Sequence, residues 1–393
     1  MAKHLIEEQL EKRILILDGA MGTMLQNENL SAEDFGGEEL DGCNENLVLT
    51  RPDVLEKVHR KYLEAGADII CTNTFGGTPL VLNEYNLGSK AEEINKRAVE
   101  IARKVVDEFS TPEWPRFVAG AMGPTTKTLS VTGGITFDEL EENFYVQAKA
   151  LIEAGSDVLL LETSQDMLNV KAGTLGVSRA FEDTGKELPV MISGTIEPMG
   201  TTLAGQTIDA FYISIEHIKP LSVGLNCATG PEFMTDHIRS LAELSTGYIS
   251  CYPNAGLPDE EGCYHESPES LSQKLKGFAE KGWLNIVGGC CGTTPAHIAA
   301  LREVLKDEKP RQLPESTHGH VVSGIEPLVY DDSMRPLFIG ERTNVIGSRK
   351  FKNLIIDEKY EEAAEIARAQ VKNGAHVIDI CLANPDRDEL ADM

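Results

Sequence analysis

Eight short apolar runs between residues 14 and 290, each leading into a helical pattern, predict an α/β fold. The architecture expected is a TIM (β/α)8 barrel, then a linker, then the truncated start of a second β/α barrel. The runs are apolar almost without alternation, as in a parallel sheet covered on both faces. No Gly-x-Gly-x-x-Gly follows the first run, which argues against a dinucleotide-binding sheet. Eight strand–helix units suit a closed barrel better than an open doubly wound sheet.

In chain order the strands are ILILD (14–18), DIICT (68–72), RFVAGAM (116–122) and SDVLLLE (156–162). PVMISGT (189–195), SVGLNC (222–227), YISCYP (248–253) and LNIVGGC (284–290) complete the set. Helices are expected over 52–65, 91–109, 137–154, 231–244, 268–281 and 295–305, with further ones near 166–181 and 207–218. Pro52 opens the first and Gly66 stops it, following the usual asymmetry of helix ends. The polar, glycine-rich stretch 21–50 is expected as a loop over the barrel mouth. Residues 1–308 thus form the first domain. Residues 309–335 lack periodicity and hold Pro, Gly and Ser, as a linker does. A second β/α pattern fills 336–393: a strand at 336–343, a helix at 358–373 and a strand at 376–381. Two strands cannot close a barrel, so this domain reads as incomplete.

The composition is that of an ordinary globular chain, with 41% apolar and 25% charged residues. Acids outnumber bases 63 to 36, a net charge of −27. That argues against nucleic-acid and anionic-membrane partners, both of which need an excess of Lys and Arg. No apolar run approaches the ~20 residues of a membrane helix. The N-terminus, MAKHLIEEQLEKR, lacks the apolar core of a signal peptide, so a cytoplasmic protein is expected. Eight cysteines in such a chain favour metal binding or catalysis over disulfides.

Barrel active sites lie at the C-terminal strand ends. Cys227, Cys290 and Cys291 fall there, on strands six and eight, which flank strand seven. Glycines around the adjacent pair let the backbone turn both thiols toward one point. Three thiolates and one open position describe a zinc site accessible to substrate. Spacing leaves Cys251 as a rival ligand and Cys71 as a weaker one. A metal with three anionic ligands activates water poorly but favours the thiolate form of a substrate thiol. This predicts alkyl transfer to sulfur. Asp18 and Glu162, acids at strand ends, suit a substrate ammonium, and the amides of Gly19, Ala20, Met21 and Gly22 suit a carboxylate. Asn73, Thr74, Ser193, Thr195 and Asn226 are further rim candidates. The histidines form no ligand set, and His217, His237 and His297 are expected at the surface.

The motifs DGAMGT (18–23), NTF (73–75), GLNCA (224–228) and GGCCG (288–292) resemble the homocysteine S-methyltransferase family, over about residues 10–308. The resemblance implies a zinc barrel that methylates homocysteine to methionine. Cys227, Cys290 and Cys291 would be its metal ligands and Cys251 a non-ligand. Asp18, the amides after it and Glu162 would hold the amino-acid end. FIGERTNVIGSRKF (338–351) and GAHVIDIC (374–381) resemble the start of the pterin-binding domain of cobalamin-dependent methionine synthases. Asn344 and Asp379 would then lie near a pterin site. The donor implied is methylcobalamin, recharged from 5-methyltetrahydrofolate in a full-length enzyme. The corrinoid signature D-x-H-x-x-G is absent, so a missing region or a separate protein would carry the cobalamin. The alternatives are a betaine- or S-methylmethionine-dependent methyltransferase, or a non-catalytic binding module with structural zinc.

Overall fold

A computed structural model of the chain describes residues 3–314 and 319–393. It divides into two units, residues 1–318 with 322–328, and residues 319–321 with 329–393. In the first unit the strands are β1 (Leu15–Ile16), β2 (Ile69–Cys71), β3 (Phe117–Met122) and β4 (Val158–Ser164). They continue as β5 (Val190–Gly194), β6 (Ser222–Asn226), β7 (Tyr248–Tyr252) and β8 (Ile286–Val287). All pair in parallel in the order β1-β8-β7-β6-β5-β4-β3-β2. A parallel bridge between Leu17 and Ile69 joins the two ends and closes the barrel.

The lack of alternation in the strands now has its cause. Phe117, Ala119, Leu160, Met191 and Ile286 fill the interior, while Val118, Met122, Leu159, Leu161 and Ile192 pack under the helices. Both faces are buried, so both are apolar. Each fully buried Leu or Ile contributes on the order of 2 kcal/mol.

Helices Pro52–Glu64, Ala91–Phe109, Phe137–Ala154, Pro231–Leu244 and Pro295–Leu305 agree with the sequence to within a residue. Met167–Thr184 runs past its expected end, and Ile208–Ile215 ends in a 3-10 turn. Stretch 21–50 departs from expectation. It is largely helical turns: Met21–Gln26, Ala32–Phe35 and Leu47–Thr50 are short helices. A Ser31–Asp34 capping box starts one of them, Gly36 in the left-handed region ends it, and buried Leu25, Phe35 and Leu47 anchor the stretch.

At the N-terminal end of the barrel, Asp68 is completely buried at the start of β2. Its carboxylate meets Arg13 at 2.7 Å, Arg116 at 3.1 Å and Arg302 at 3.4 Å, and accepts from Trp114 Nε1 at 2.8 Å. The three guanidiniums also lie 3.9–5.1 Å from the Trp114 ring centre.

Residues 309–335, expected as a linker, have structure of their own, apart from 315–318, which lie outside the described residues. Arg311 is buried and donates to the carbonyls of Ala242, Ser245 and Gly247, satisfying the end of the Pro231–Leu244 helix. Strands Val321–Ser323 and Pro327–Val329 pair, and Ser323 Oγ donates to Ala210 O at 2.8 Å.

The second unit has two parallel strands, Ile339–Asn344 and Val377–Cys381, with helices Arg349–Ile356 and Tyr360–Lys372. The first of these helices has no counterpart in the sequence reading; the Ser348 side chain caps it. Val345, Phe351, Ile355, Ala363 and Leu382 make a small core. No helix among the described residues is long and apolar enough to cross a membrane.

Candidate active site

A cavity of about 280 Å³ opens at the C-terminal ends of the barrel strands. Residues 17–23 after β1, Cys71 to Asn73 after β2 and Glu162–Thr163 on β4 line it. Cys227, Tyr252 and the 289–291 turn complete the wall.

The three cysteines converge. Cys227 Sγ and Cys290 Sγ each lie 3.9 Å from Cys291 Sγ, and all three are mutually within 4.8 Å. Tetrahedral zinc with Zn–S bonds of ~2.3 Å requires sulfurs ~3.8 Å apart, so this group fits such an ion. Two turns produce the convergence. After β6, Cys227 and Ala228 both adopt left-handed backbone, at φ +63° and +55°. Each costs on the order of 1 kcal/mol or more. Thr195 Oγ1, donating to Asn226 O at 3.0 Å, helps hold that turn. After β8, Cys290 N donates to Pro253 O at 2.8 Å and Cys291 N to Asn254 Oδ1 at 3.1 Å. A Cβ added at Gly289 would collide with Thr293, and one at Gly292 with Tyr264, so this turn needs its glycines. The three thiols share their hydrogen bonds: Cys227 and then Cys290 pull Cys291 down to about 3; Cys290 is raised, by Cys227 first and then by Cys291; and Cys227, lowered by Cys290, is raised overall by Cys291 and burial to about 11.

Cys251, the rival ligand, is fully buried with its sulfur 3.9 Å from Met234 Sδ, in the layer under the helices. Side chains alternate along β7, so Tyr252 faces the interior and Cys251 does not. Cys71 lines the cavity but stands outside the three-sulfur group.

Asp18 and Glu162 both face this cavity, and among the described residues no Lys or Arg lines it. Burial pushes Asp18 up to about 7, against the lowering effect of a hydrogen bond from Cys71 N at 2.9 Å. Burial, and then the neighbouring Asp18, push Glu162 up to about 8. The wall thus carries three acids, Asp18, Glu45 and Glu162, with no basic side chain beside them among the described lining residues. Gly19 to Gly22 also line the cavity, where Ala20 and Met21 begin the Met21–Gln26 helix. Ala20 N donates to Thr293 Oγ1 at 3.2 Å, so the amides of Met21 and Gly22 are the ones that suit an anion.

Other expected residues take supporting positions. Asn73 reaches the cavity and donates to Asn44 O at 2.7 Å. Thr74 turns away and donates to Ala121 O. Ser193 and Thr195 are buried and do not line the cavity. Ser193 donates to Asn226 Oδ1 at 2.6 Å, and Asn226 binds Thr163 through Thr163 N at 3.0 Å and Oγ1 at 2.8 Å. Asn226 thus joins the ends of β4, β5 and β6. His297 corrects the surface expectation: it is buried, its ring between Thr294 N and Glu266 O. His237 is half-buried and His217 exposed.

Sequence reasoning missed Glu45, Tyr252 and Tyr264. Glu45, half-buried and raised in pKa by the loss of solvent around its carboxyl, lines the cavity and accepts from Gly76 N. It lies in stretch 21–50, where nothing marks one acid among several. Tyr252 ends β7, which was a usable signal. Tyr264 packs on the 290–292 turn. In the second unit, Asn344 Nδ2 lies 3.4 Å from Asp379 Oδ2 at the strand ends.

Residues 15–305 match the family model of homocysteine S-methyltransferases, and residues 340–392 match that of pterin binding enzymes. Among solved structures, the chain is similar to the homocysteine methyltransferase MmuM of Escherichia coli in its oxidized form. There the TM-score is 0.62 at 22% identity, covering 76% of this chain and 97% of MmuM. The metallated form gives 0.62 at 23% identity, over 74% and 96%. That likeness is one of fold: an eight-stranded α/β barrel. The family match spans the whole barrel, including every cavity residue above. The chain is a methyltransferase and belongs to the homocysteine S-methyltransferase family.

Proposed function

We propose that this barrel transfers a methyl group to the thiol of L-homocysteine, with zinc held by Cys227, Cys290 and Cys291. The methyl donor in this reading is methylcobalamin, presented by a corrinoid-bearing module, as in cobalamin-dependent methionine synthases. The sulfur spacing of 3.9 Å carries the metal assignment. The pterin-binding match at 340–392 supports the donor, since recharging methylcobalamin calls for 5-methyltetrahydrofolate. Asn344 and Asp379 are the proposed pterin contacts. The unpaired thiols of all eight cysteines suit a cytoplasmic setting.

Zinc, when bound, favours the thiolate form of a fourth sulfur ligand and keeps it nucleophilic. The chain's own residues position the substrate. Asp18 and Glu162 accept its ammonium, which supplies the missing cation. The amides of Gly19, Met21 and Gly22 receive its carboxylate, Ala20 N being held by Thr293 Oγ1. Held so, the thiolate faces the open mouth and would attack the donor's methyl carbon in line: the sulfur–carbon bond forms as the carbon–cobalt bond of the donor breaks, that bond's electron pair stays with the departing corrinoid, and the product is the thioether methionine. Positioning and thiolate activation supply the rate.

The test replaces zinc by cobalt and adds homocysteine. A new sulfur-to-cobalt charge-transfer band is expected, and its absence would sink the assignment. Assays with methylcobalamin, betaine and S-methylmethionine in turn then decide the donor. Turnover with betaine alone would overturn the cobalamin reading.

A further inference from the structure

We infer that Tyr252 makes the cavity selective for thiols that carry an α-ammonium group, by acting on Glu162 as a positioning residue. The inference rests on the substrate reading above. Tyr252 is the last residue of β7, 2% exposed, and closes the top of the barrel interior beneath the cavity. Its hydroxyl has no hydrogen-bond partner among the described residues. Glu162 and Ser193 are close enough that Tyr252 lowers the Glu162 carboxyl and Ser193 lowers Tyr252, yet neither contact has the geometry of a full hydrogen bond. Ser193 donates to Asn226 Oδ1, so toward Tyr252 it can act only as a neutral acceptor, weaker than a carboxylate. A buried hydroxyl left in this state is costly, and its position on the cavity wall points to a partner that arrives with the substrate.

Glu162 supplies that partner when it ionises. In the free chain burial, and then Asp18, raise its carboxyl to about 8 against the lowering effect of Tyr252, and Cys71 faces the same pair of acids. An entering ammonium turns Glu162 into a carboxylate, and its proton leaves to solvent. A carboxylate only accepts, with two oxygens and about four lone-pair sites. One oxygen takes the ammonium and the other takes the Tyr252 O–H, in a charge-assisted bond. Tyr252 therefore strengthens binding only of substrates that bring the cation.

Calorimetric titration of the zinc-loaded chain tests this with two ligands. L-homocysteine and 4-mercaptobutanoate share thiol, chain and carboxylate, and differ in the amine. Tyr252→Phe is expected to weaken homocysteine about tenfold and to leave 4-mercaptobutanoate within about twofold. An equal loss for both ligands would make Tyr252 a packing residue and overturn the inference. No loss for either would do the same. Should Tyr252→Phe not fold, near-ultraviolet difference absorption of the unaltered chain decides: a tyrosine shift with homocysteine only supports the inference, and the same response to both ligands overturns it. A wild-type chain with no preference for homocysteine would remove the substrate reading itself.

Discussion

The two ends of the barrel bury aspartates under opposite conditions. Asp68, at the floor, is surrounded by three guanidiniums and an indole N–H. Asp18, at the mouth, accepts from the Cys71 amide, and among the described residues the cavity wall around it has no basic side chain. Both residues are buried, at 0% and 4% exposure, so depth does not distinguish them. Pairing does. The floor is complete in itself, as expected where a barrel invests in stability. The mouth is different: among the described residues its acids meet no basic side chain and a tyrosine hydroxyl has no partner, while three thiols share a space suited to a metal. A site built to bind leaves its needs unmet until the ligand comes.

The largest expected break of this contrast is at the sulfurs. Cys290→Ser should lose bound zinc and more than about 100-fold of methyl transfer, beyond what loss of an outer-shell partner costs. Cys251→Ala, one residue type and one strand away, should keep full zinc. Metal analysis with a methionine assay reads both; equal zinc loss would show that Cys251 matters to the centre.

Next comes the floor. Asp68→Ala should destabilise the barrel by about 3 kcal/mol, because it strands three partly buried guanidiniums. The affinity for homocysteine should not change. Thermal melts and titration separate these; a changed affinity with an unchanged melt would reverse the assignment of the two ends.

The smallest effect is the pH dependence of the mouth. Asp18 and Glu162 are both raised above the ordinary carboxylate range, to about 7 and about 8. The folded chain thus binds these protons more tightly than the unfolded chain does. Their contribution to stability is full below about pH 4 and is lost as pH rises through about 7 and about 8. Asp18→Asn should flatten the lower part of that fall and weaken homocysteine binding. Melting curves across this range check it; an unaltered slope would mean that Asp18 is already paired.

Much of the barrel was legible beforehand. Pro52, Pro231, Pro268 and Pro295 open helices, and Gly66 and Gly155 close them. The cysteines of GLNCA and GGCCG stood out because few residue types serve as soft metal ligands. Stretch 21–50 was less legible, since its helices are too short for periodicity to show. The members of the floor cluster, at 13, 68, 114, 116 and 302, have no shared pattern at all.

The sequence by itself determined the repeat of eight strand–helix units and the presence of a sulfur-rich rim, because both are local signals. Only the tertiary structure decided which side chains face the cavity. Inward and outward positions alternate residue by residue along a strand, and a strand apolar on both faces carries no mark of its register. That is why Cys251 and Tyr252, adjacent in the chain, could not be told apart until the barrel closed. The same closure brings Asn226, Thr163 and Ser193 together and leaves Asp18 and Glu162 facing one cavity without a cation.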